Sequence, residues 1–507
     1  MNALAFLSEL ARLATDPVTV LLVVVGAQVG IVFGMLPGLT ATMAMSLLTG
    51  LTFSLPASQA VAVLLGAYVG AITGGSRSAV LLNIPGTPAQ AAVCLDGFPL
   101  AMQGRAAEAI GLSVTASTLG TLFGVAMLAL FAPLLGQVAL QFGTWEFFWL
   151  AVFGVVIAGS LTGGQDSLKG WMAGTLGLLL ATVGQDGIHA YPRFTLGRVE
   201  LQGGFALIPV LVGAYGMSEI LTVLRRSERA VVHTRLDRVL PRFKEVFRHR
   251  WHILRSGLIG TFVGIIPGVG EDIASWVSYD VARRTSRSPQ LFGKGSIEGL
   301  IAAETGDNAC IGGACVPVLT LGVPGSAPAA VLLAALTIHG LKPGPLLVLQ
   351  HPETVWQVVA LFLLATLAVF VLSLTLVRPM VRILLIPREA LMPVVYVLCV
   401  VGSFAISARI FDVWVMLGFG LLGFALREAG FPVAPLVLGF ILGPMADDNL
   451  RRGLSLGGGD PAPFFTRPIS AILVSLIVFT VVGRTLVTSR VLRRGARGEA
   501  SLSTGGG

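Results

Sequence analysis

Long apolar stretches separated by short polar segments run along almost the whole chain. A helix needs about 20 apolar residues to span the roughly 30 Å hydrocarbon layer of a bilayer. Only helices and closed barrels satisfy every backbone hydrogen bond there. The pattern predicts an all-α polytopic membrane protein with about 10–14 membrane segments. The apolar stretches lie at 17–36, 58–73, 106–135, 145–162, 168–184, 204–224, 353–377, 390–408, 411–427, 431–446 and 468–488.

Composition agrees with a membrane protein and excludes one large soluble core. Of the 507 residues, 54% are hydrophobic and 12% are charged, whereas soluble domains contain about 25% charged residues. The first apolar stretch lacks a basic segment directly before it and a small-residue cleavage site, so we interpret it as a retained helix and not a removed signal peptide. Apolar surroundings without a neighbouring His favour buried thiols over a metal site for Cys94, Cys310, Cys315 and Cys399.

Basic residues are concentrated in two segments. Residues 225–255 contain ten Lys or Arg against three acids, and the chain from residue 484 onward contains five Arg against one Glu. Short basic segments stay on the cytoplasmic side of a membrane. We therefore predict a basic cytoplasmic loop at 225–255 and a flexible basic cytoplasmic tail at 490–507. Nucleic-acid binding is a weaker explanation, because the flanking spans account for these charges.

Four short motifs occur twice, in the same order, along the chain. Pro37-Gly38 recurs as Pro267-Gly268, Gly74-Gly75 as Gly312-Gly313, Pro85-Gly86 as Pro324-Gly325 and Gly97 as Gly340, at offsets of 230, 238, 239 and 243 positions. Ordered matches of this kind predict two structural repeats. The chain then divides into 1–224 (first repeat and following spans), 225–255 (basic loop), 256–350 (second-repeat motifs), 351–489 (C-terminal spans) and 490–507 (tail).

The basic flanks predict that the two repeats are inverted. The apolar stretch 256–282 is interrupted at Pro267-Gly268 and has basic residues on both sides, so both of its ends should face the cytoplasm. The stretch around Pro37-Gly38 has no basic flank, as expected for a hairpin that enters from the opposite face. Opposed re-entrant hairpins of discontinuous helices are typical of transporters with inverted-topology repeats. Two short tilted spans are the alternative.

Interrupted helices in a membrane predict a binding site. Pro and Gly break helices, and free backbone groups are tolerated in a bilayer only inside protein or beside a wet cavity. We count the Gly-Gly pairs as interruptions as well. The helix N-terminus that follows each interruption offers N–H donors to a carboxylate. The alternative is that Pro-Gly only kinks packed helices. The predicted substrate-binding residues are Gly38, Thr40, Gly75, Ser76, Arg77, Asn83, Pro85, Gly86, Thr87, Gly268, Gly313, Pro324, Gly325 and Ser326.

Charged residues inside apolar stretches are costly and usually functional. Arg77 follows a Gly-Gly pair and suits a carboxylate bidentately, although pairing with a distant acid is a competing explanation. Glu304 and Asp307 share a helix face. Together with Asn308 they are predicted to couple an ion, by binding sodium or by relaying a proton; capping or an Arg salt bridge is the alternative.

Four further acidic residues have structural explanations. Glu271 and Asp272 would cap the half-helix that follows the second-repeat Pro-Gly motif. The Asp96-Gly97 pair predicts a turn. Asp447 and Arg451 would belong to an ion-pair cluster at the membrane edge.

Long motifs of the chain resemble the large membrane subunit of the tripartite tricarboxylate transporters of bacteria. They include "GMLPGLTATMAMSLLTGLTF", "GAYVGAITGGSRSAVLLNIPGTPAQAAVCLDGFPLAMQGRAAEAIG" and "LGFILGPMADDNLRRGLSLGGGDPAPFFTRPIS", and the resemblance covers nearly the whole chain. It implies an inner-membrane protein that works with a small membrane subunit and a periplasmic solute-binding protein. It also implies import of organic carboxylates by symport with sodium or protons.

The chain departs from the family pattern at two candidate positions. Asn308, near which sodium is one candidate ion, matches an asparagine pair of the family, but Asp307 replaces the first member of the pair. Arg77 stands where many relatives have a small or hydroxylic residue. These departures concern the ligand and the coupling ion and not the family.

Enzyme signatures are missing from the sequence. It contains no HExxH or GxSxG motif, and "FGKGSIEG" lacks the spacing of a phosphate loop. We predict a protein that is not an enzyme and needs no cofactor beyond its coupling ion. A membrane enzyme that acts on lipid through Glu304 and Asp307 is one alternative, an ion channel is another, and homodimerisation is left open.

Overall fold

The computed structural model is almost entirely helical. Its two short strands, β1 (Gly184–Gln185) and β2 (Pro192–Arg193), pair antiparallel. Pro37, residues 226–238 of the predicted basic loop and the predicted tail 490–507 lie outside the described part of the chain. The described residues are 3–36, 38–162, 167–225, 239–377, 379, 382, 388–405 and 407–483.

The first half of the chain forms eleven of the described helices, several of them joined by short 3₁₀ or π segments. They are α1 (Ala3–Thr15), α2 (Pro17–Met35), α3 (Ala41–Leu51), α4 (Ala57–Gly74), α5 (Ser76–Leu82), α6 (Ala91–Leu100), α7 (Ala106–Ala139), α8 (Thr144–Thr162), α9 (Ser167–Ala181), α10 (Leu207–Leu211) and α11 (Ser218–Arg225).

The second half of the described chain adds twelve helices. They are α12 (Phe243–Arg248), α13 (Arg250–Ile265), α14 (Gly270–Thr285), α15 (Ile297–Leu321), α16 (Ala327–Ile338), α17 (Pro345–Gln350), α18 (Pro352–Thr375), α19 (Arg388–Ala405), α20 (Ile410–Glu428), α21 (Val433–Leu456), α22 (Pro463–Thr466) and α23 (Pro468–Gly483).

Many helices are long and apolar enough to cross a membrane, which confirms the predicted all-α polytopic class. Within the described residues, eight stretches of at least 18 residues meet this condition, and four shorter apolar helices accompany them. The eight are Pro17–Met35, Ala57–Leu82, Pro88–Ala139, Thr144–Thr162, Leu207–Arg225, Pro352–Thr375, Ile410–Glu428 and Val433–Leu456.

The chain folds into two compact units. The first comprises residues 1–141 and 205–425, and the second comprises residues 142–204 and 426–507. In the second unit α21 packs on α8 and α9. Arg451 pairs with Asp447 (3.0 Å) and with Asp186 (3.2 Å), which confirms the predicted ion pair and adds a loop carboxylate to it.

Local sequence signals set the helix starts of the first unit. Asp16 caps α2, accepting from the backbone N–H groups of Val18 and Thr19 (both 3.2 Å), and Pro17 occupies the first turn, where it is tolerated. Thr40 caps α3 through the N–H of Met43 (3.2 Å). Each cap satisfies donors that would otherwise lack a partner at the start of a helix.

The four Pro-Gly motifs coincide with real ends of helices. α2 ends at Met35 and α13 at Ile265, each a few residues before the next helix starts; α5 ends at Leu82 and α15 at Leu321. Gly38 and Gly268 have positive φ angles (91° and 74°), a conformation that glycine adopts without steric cost.

The two Gly-Gly pairs differ: the first lies at the boundary between α4 and α5, whereas the second does not interrupt its helix, so the prediction of a break is wrong for the second pair. Gly75 has helical torsion angles (φ −63°, ψ −22°), and Gly312 and Gly313 lie within α15. A side chain on Gly74 would overlap the carbonyl oxygen of Ile31, and one on Gly313 would overlap that of Thr261. These glycines allow two helices to pack closely.

The same packing recurs in both halves of the first unit. α2 packs on α4 as α13 packs on α15. A side chain on Gly30 would meet Ala67, and one on Gly260 would meet Gly306. These contacts repeat with offsets of 230 positions for the first helix and 239 for the second. The inverted orientation of the halves stays a prediction.

Helix α15 lies in the interior of the first unit. Every residue from Gly299 to Leu321 is buried, and α4, α7, α13 and α14 all contact this helix. Polar residues on α15 therefore face protein on all sides and must find their partners there.

Candidate functional site

The first-repeat interruption contains a hydrogen-bonded loop between α5 and α6. Asn83 ends α5 in the left-handed conformation (φ 55°). A side chain on Gly86 would overlap the carbonyl oxygen of Gly34, so only glycine lets the loop lie against the end of α2. Thr87 donates to the side-chain oxygen of Gln90, whose amide group donates to Asp307 of α15 (3.0 Å).

The second-repeat interruption has the same backbone. Gly322 ends α15 in the left-handed conformation (φ 68°), and a side chain on Gly325 would overlap the carbonyl oxygen of Gly264. Ser326 caps α16 through the N–H of Ala329 (3.3 Å). The N–H of Gly268 donates to the carbonyl of Pro324 (3.3 Å), which ties the two breaks of this half together.

Glu304 is held by two hydroxyl groups of α7. Ser113 donates to one carboxylate oxygen (2.7 Å) and Ser117 to the other (2.6 Å). The two serines are four residues apart, so they lie on one face of α7. Glu304 is fully buried, and within the described residues no basic group lies within ion-pair distance of it.

Asp307 and Asn308 join the two halves of the first unit. The amide nitrogen of Asn308 donates to Asp307 (2.8 Å). The amide oxygen of Asn308 accepts from Thr73 of α4 (3.0 Å) and from Thr121 of α7 (3.3 Å). We call Arg77, Gln90, Glu304, Asp307 and Asn308 the central polar cluster; each is at most 1% exposed.

Arg77 has two N–H donors without partners. Its Nη1 donates to the carbonyl of Thr73 (3.0 Å) and more weakly to that of Gly74 (3.4 Å). Its Nε and Nη2 are buried and have no hydrogen-bond partner, although the charge of Glu304 attracts the guanidinium. Buried donors are almost always satisfied, so Arg77 retains the capacity to donate to a further acceptor.

The predicted site residues fall into two groups. Arg77, Glu304, Asp307 and Asn308 are members of the central polar cluster, Gly75 and Thr87 lie against Gln90, and Ser76 is buried beside Arg77, whereas Gly38 lies against Glu219 of α11 and is not brought to the cluster. Those of the second repeat lie around Pro324. Thr40 and Asn83 act on the backbone, as a cap and as a helix end. Gly75 and Gly313 contribute close packing.

Sequence inspection missed the partners supplied by distant helices. Gln90, Ser113, Ser117 and Tyr68 each contact a residue more than 180 positions away. The sequence contains a weak sign of their importance. Tyr68, Ser113 and Ser117 are polar residues within apolar helices, and Gln90 directly precedes one.

Asp96 does not form the predicted turn. It lies within α6 and accepts from the backbone N–H groups of Gly293 (2.9 Å), Gly295 (2.9 Å) and Ser296 (2.7 Å). The carboxylate therefore fixes the start of α15, where Ser296 is the cap. Because that helix carries Glu304, Asp96 is a positioning residue for the cluster.

The cysteines and histidines do not contribute to the central polar cluster. All four cysteines are free and buried, as predicted. Among the described residues, His249, His252 and Glu298 form the one group with metal-ligand spacing. Arg255 donates to Nδ1 of His252 (2.9 Å), while Nε2 of that ring faces Glu298 (3.7 Å).

These features define a polytopic helical membrane protein with a buried polar centre between interrupted helices, a class that includes secondary transporters. Residues 20–438 match the profile described as the tripartite tricarboxylate transporter TctA family, and the chain belongs to that family. The family contains membrane subunits of transporters that act with other subunits.

Two relatives come from Agrobacterium vitis. An uncharacterized 52.8 kDa protein in the TAR-I ttuC' 3' region is 34% identical over 95% of this chain and 96% of its own length. An uncharacterized protein in the TAR-II ttuC' 3' region is 35% identical over 44% of this chain and 92% of its own length. No solved structure matches the chain.

Proposed function

We propose that this chain imports organic carboxylates (tricarboxylates, dicarboxylates or related acids) by symport with sodium or protons. In this proposal a periplasmic solute-binding protein delivers the substrate and a small membrane subunit assists. The chain lies in the bacterial inner membrane with its C-terminus in the cytoplasm. The family assignment supports a transporter subunit, and the unpaired donors of Arg77 support the carboxylate.

Arg77 is the anchor for the substrate carboxylate. A guanidinium binds a carboxylate through two parallel N–H donors, and Nε and Nη2 are the two that lack partners. Each unsatisfied buried donor costs about 1–3 kcal/mol. A carboxylate that accepts from both removes this cost and gains a charge-assisted bond.

The acids of the cluster provide the coupling. Glu304 and Asp307 together carry two negative charges when ionised, against the single positive charge of Arg77. An anionic substrate adds further negative charge in a dry interior, which is strongly unfavourable. A sodium ion beside Asn308, or a proton on one of the acids, offsets that charge. Substrate and cation then bind favourably only together.

The interrupted helices suit alternating access. Half-helix N-termini carry roughly half a positive charge, and the loops at Gly86 and Gly325 separate rigid helices that can shift against each other. If the two halves are inverted, one half moves past the other to expose the cluster to each side in turn.

Uptake by reconstituted vesicles tests this function. The chain, its small membrane subunit and the binding protein would be assayed with citrate, succinate and malate, while sodium and proton gradients are imposed separately. We expect gradient-driven uptake of at least one acid. Lipid turnover without a gradient, or conduction without the binding protein, would indicate the enzyme or the channel instead.

An Arg77→Gln variant tests the anchor. We expect uptake to fall roughly a hundredfold, because a charge-assisted bidentate contact is lost, and Arg77→Lys to recover only part of it. The matched control is Arg284→Gln, since Arg284 is an exposed residue paired with Asp280. Normal uptake by a folded Arg77→Gln protein would place the anion elsewhere.

A further inference from the structure

The second-repeat interruption contains a buried carboxylate that the proposed function does not use. Glu271 lies in the first turn of α14 and is 4% exposed. The hydroxyl of Tyr68, on α4, donates to it and lies 2.8 Å from the hydroxyl of Ser326. We call Tyr68, Glu271 and Ser326 the second-break cluster.

The central polar cluster and the second-break cluster contain residues from corresponding positions of the two halves. Tyr68 and Asp307 are 239 positions apart, as are Thr87 and Ser326, and this is the offset at which the helix contacts repeat. Asp307 of the second half approaches the first-repeat loop through Gln90. Tyr68 of the first half approaches the second-repeat loop through Ser326. The second-break cluster is thus the counterpart of a cluster already assigned to a coupling ion.

No basic residue of the described ranges balances the charge of Glu271. Among the described residues, no Lys, Arg or His lies within ion-pair distance of it. The titratable groups that interact with it are Tyr68, Asp272 on its own helix, and Cys310 and Cys315 on α15. None of these can be cationic, and an uncompensated buried carboxylate costs several kcal/mol.

The helix surface next to the site carries a charged residue. Asp272, the next residue, is exposed. A carboxylate facing lipid inside a bilayer is disfavoured by at least about 2.5–3.5 kcal/mol, so we expect this surface of α14 to face water and not acyl chains. An ion can therefore approach Glu271 from the same side.

We propose that Tyr68, Glu271 and Ser326 form a second monovalent-cation site, which holds sodium or a proton. One carboxylate and two neutral hydroxyl oxygens match one positive charge and the preference of hard cations for oxygen ligands. The backbone favours a cation as well, because α15 ends beside this loop and a helix C-terminus is negative. This inference rests on the proposed function. It adds that the central polar cluster and the second-break cluster together bind two cations for each carboxylate.

Sodium binding to the purified full-length chain tests the site without requiring transport. Equilibrium binding of ²²Na⁺ would be measured for the wild type, Glu271→Gln and Tyr68→Phe, with Glu353→Gln as the control, since Glu353 is exposed. If sodium is the ion, Glu271→Gln loses one saturable site and Tyr68→Phe weakens that site about tenfold, the loss of one bond to a charged group. The control retains both sites.

Infrared spectroscopy distinguishes the proton from sodium. If a proton is the ion, the wild type shows the band of a buried protonated carboxylic acid, and this band disappears in Glu271→Gln but not in Glu353→Gln. The inference is overturned if folded Glu271→Gln matches the wild type in both measurements. If Glu271→Gln does not fold, the inference is overturned when Tyr68→Phe binds sodium and titrates like the wild type. If Glu271→Gln loses a cation site as expected but the wild-type complex takes up no carboxylate, only the proposed function is contradicted.

Discussion

The two Pro-Gly interruptions of the first unit share a backbone but differ in the side chains around them. Asn83 and Gly322 have nearly the same left-handed torsion angles, and Gly86 and Gly325 pack against carbonyl oxygens at equivalent positions. Near the first loop lie Arg77 and Gln90 with the buried acids Glu304 and Asp307; near the second lies Glu271, which accepts a hydrogen bond from Tyr68 and has no ion-pair partner among the described residues. The shared glycines keep the geometry, and the differing side chains are the basis for our proposal of an anion with one cation at the first loop and a second cation at the second.

Substituting the two loop glycines tests the shared backbone and should have the largest effect. In Gly86→Val and Gly325→Val the new side chain overlaps a carbonyl oxygen, which forces a backbone shift that costs about 1–3 kcal/mol. We expect both variants to insert into the membrane but to lose carboxylate uptake. Gly418→Ala is the control, because nothing lies within 4 Å of the added atom. Wild-type uptake by both valine variants would place the pocket elsewhere.

Exchanging the helix-ending residues sharpens the comparison. Both Asn and Gly adopt the left-handed conformation, so Asn83→Gly and Gly322→Asn should each change the free energy of unfolding by less than about 1 kcal/mol. Asn83→Ala and Gly322→Ala should each destabilise by about 1–2 kcal/mol. Thermal unfolding in detergent measures the difference. Equal stability of all four variants would show that the torsion angles at these positions are not constrained.

The starts of α2 and α13 occupy corresponding places in the two halves, but their stability should depend on pH in different ranges. We expect this effect to be smaller than those of the glycine and helix-end substitutions. Hydrogen bonding from Thr19 holds the pKa of Asp16 below its ordinary value, and burial lowers the pKa of His249. In both cases the folded state binds fewer protons, so stability is present above the ordinary pKa and is lost as the pH falls through the folded one.

Amide hydrogen exchange, corrected for its intrinsic pH dependence, measures this difference. The first turn of α13 should lose protection below about pH 6.5, and that of α2 only below about pH 3.9. In His249→Gln the step at α13 should shrink while the step at α2 is unchanged. Loss of protection in both turns at the same pH would show that another group controls them.

Much of this architecture could be predicted from the sequence because local rules determine it. Apolar length predicts the spans, and Pro-Gly motifs predict where α2, α5, α13 and α15 end. The second Gly-Gly pair was misinterpreted because glycine occurs both at helix breaks and at close contacts between helices. Only the neighbouring helix decides between them.

The partners of the site residues could not be predicted from one sequence. Glu304 is satisfied by serines of α7, and Glu271 by a tyrosine of α4. Such contacts depend on which helices pack together, and sequence spacing does not contain that information. The prediction that Glu304 and Asp307 share a helix is confirmed, since both lie buried on α15.

Titration calorimetry of the purified chain with citrate, with and without sodium, tests the central claim most directly. The claim is that a carboxylate on Arg77 and cations on the neighbouring acids bind together, and linkage requires each to raise the affinity for the other by the same factor. We predict that sodium, or lower pH if protons couple, strengthens citrate binding and that Arg77→Gln abolishes it. Citrate affinity that is independent of both cations, or unchanged in Arg77→Gln, would contradict the account.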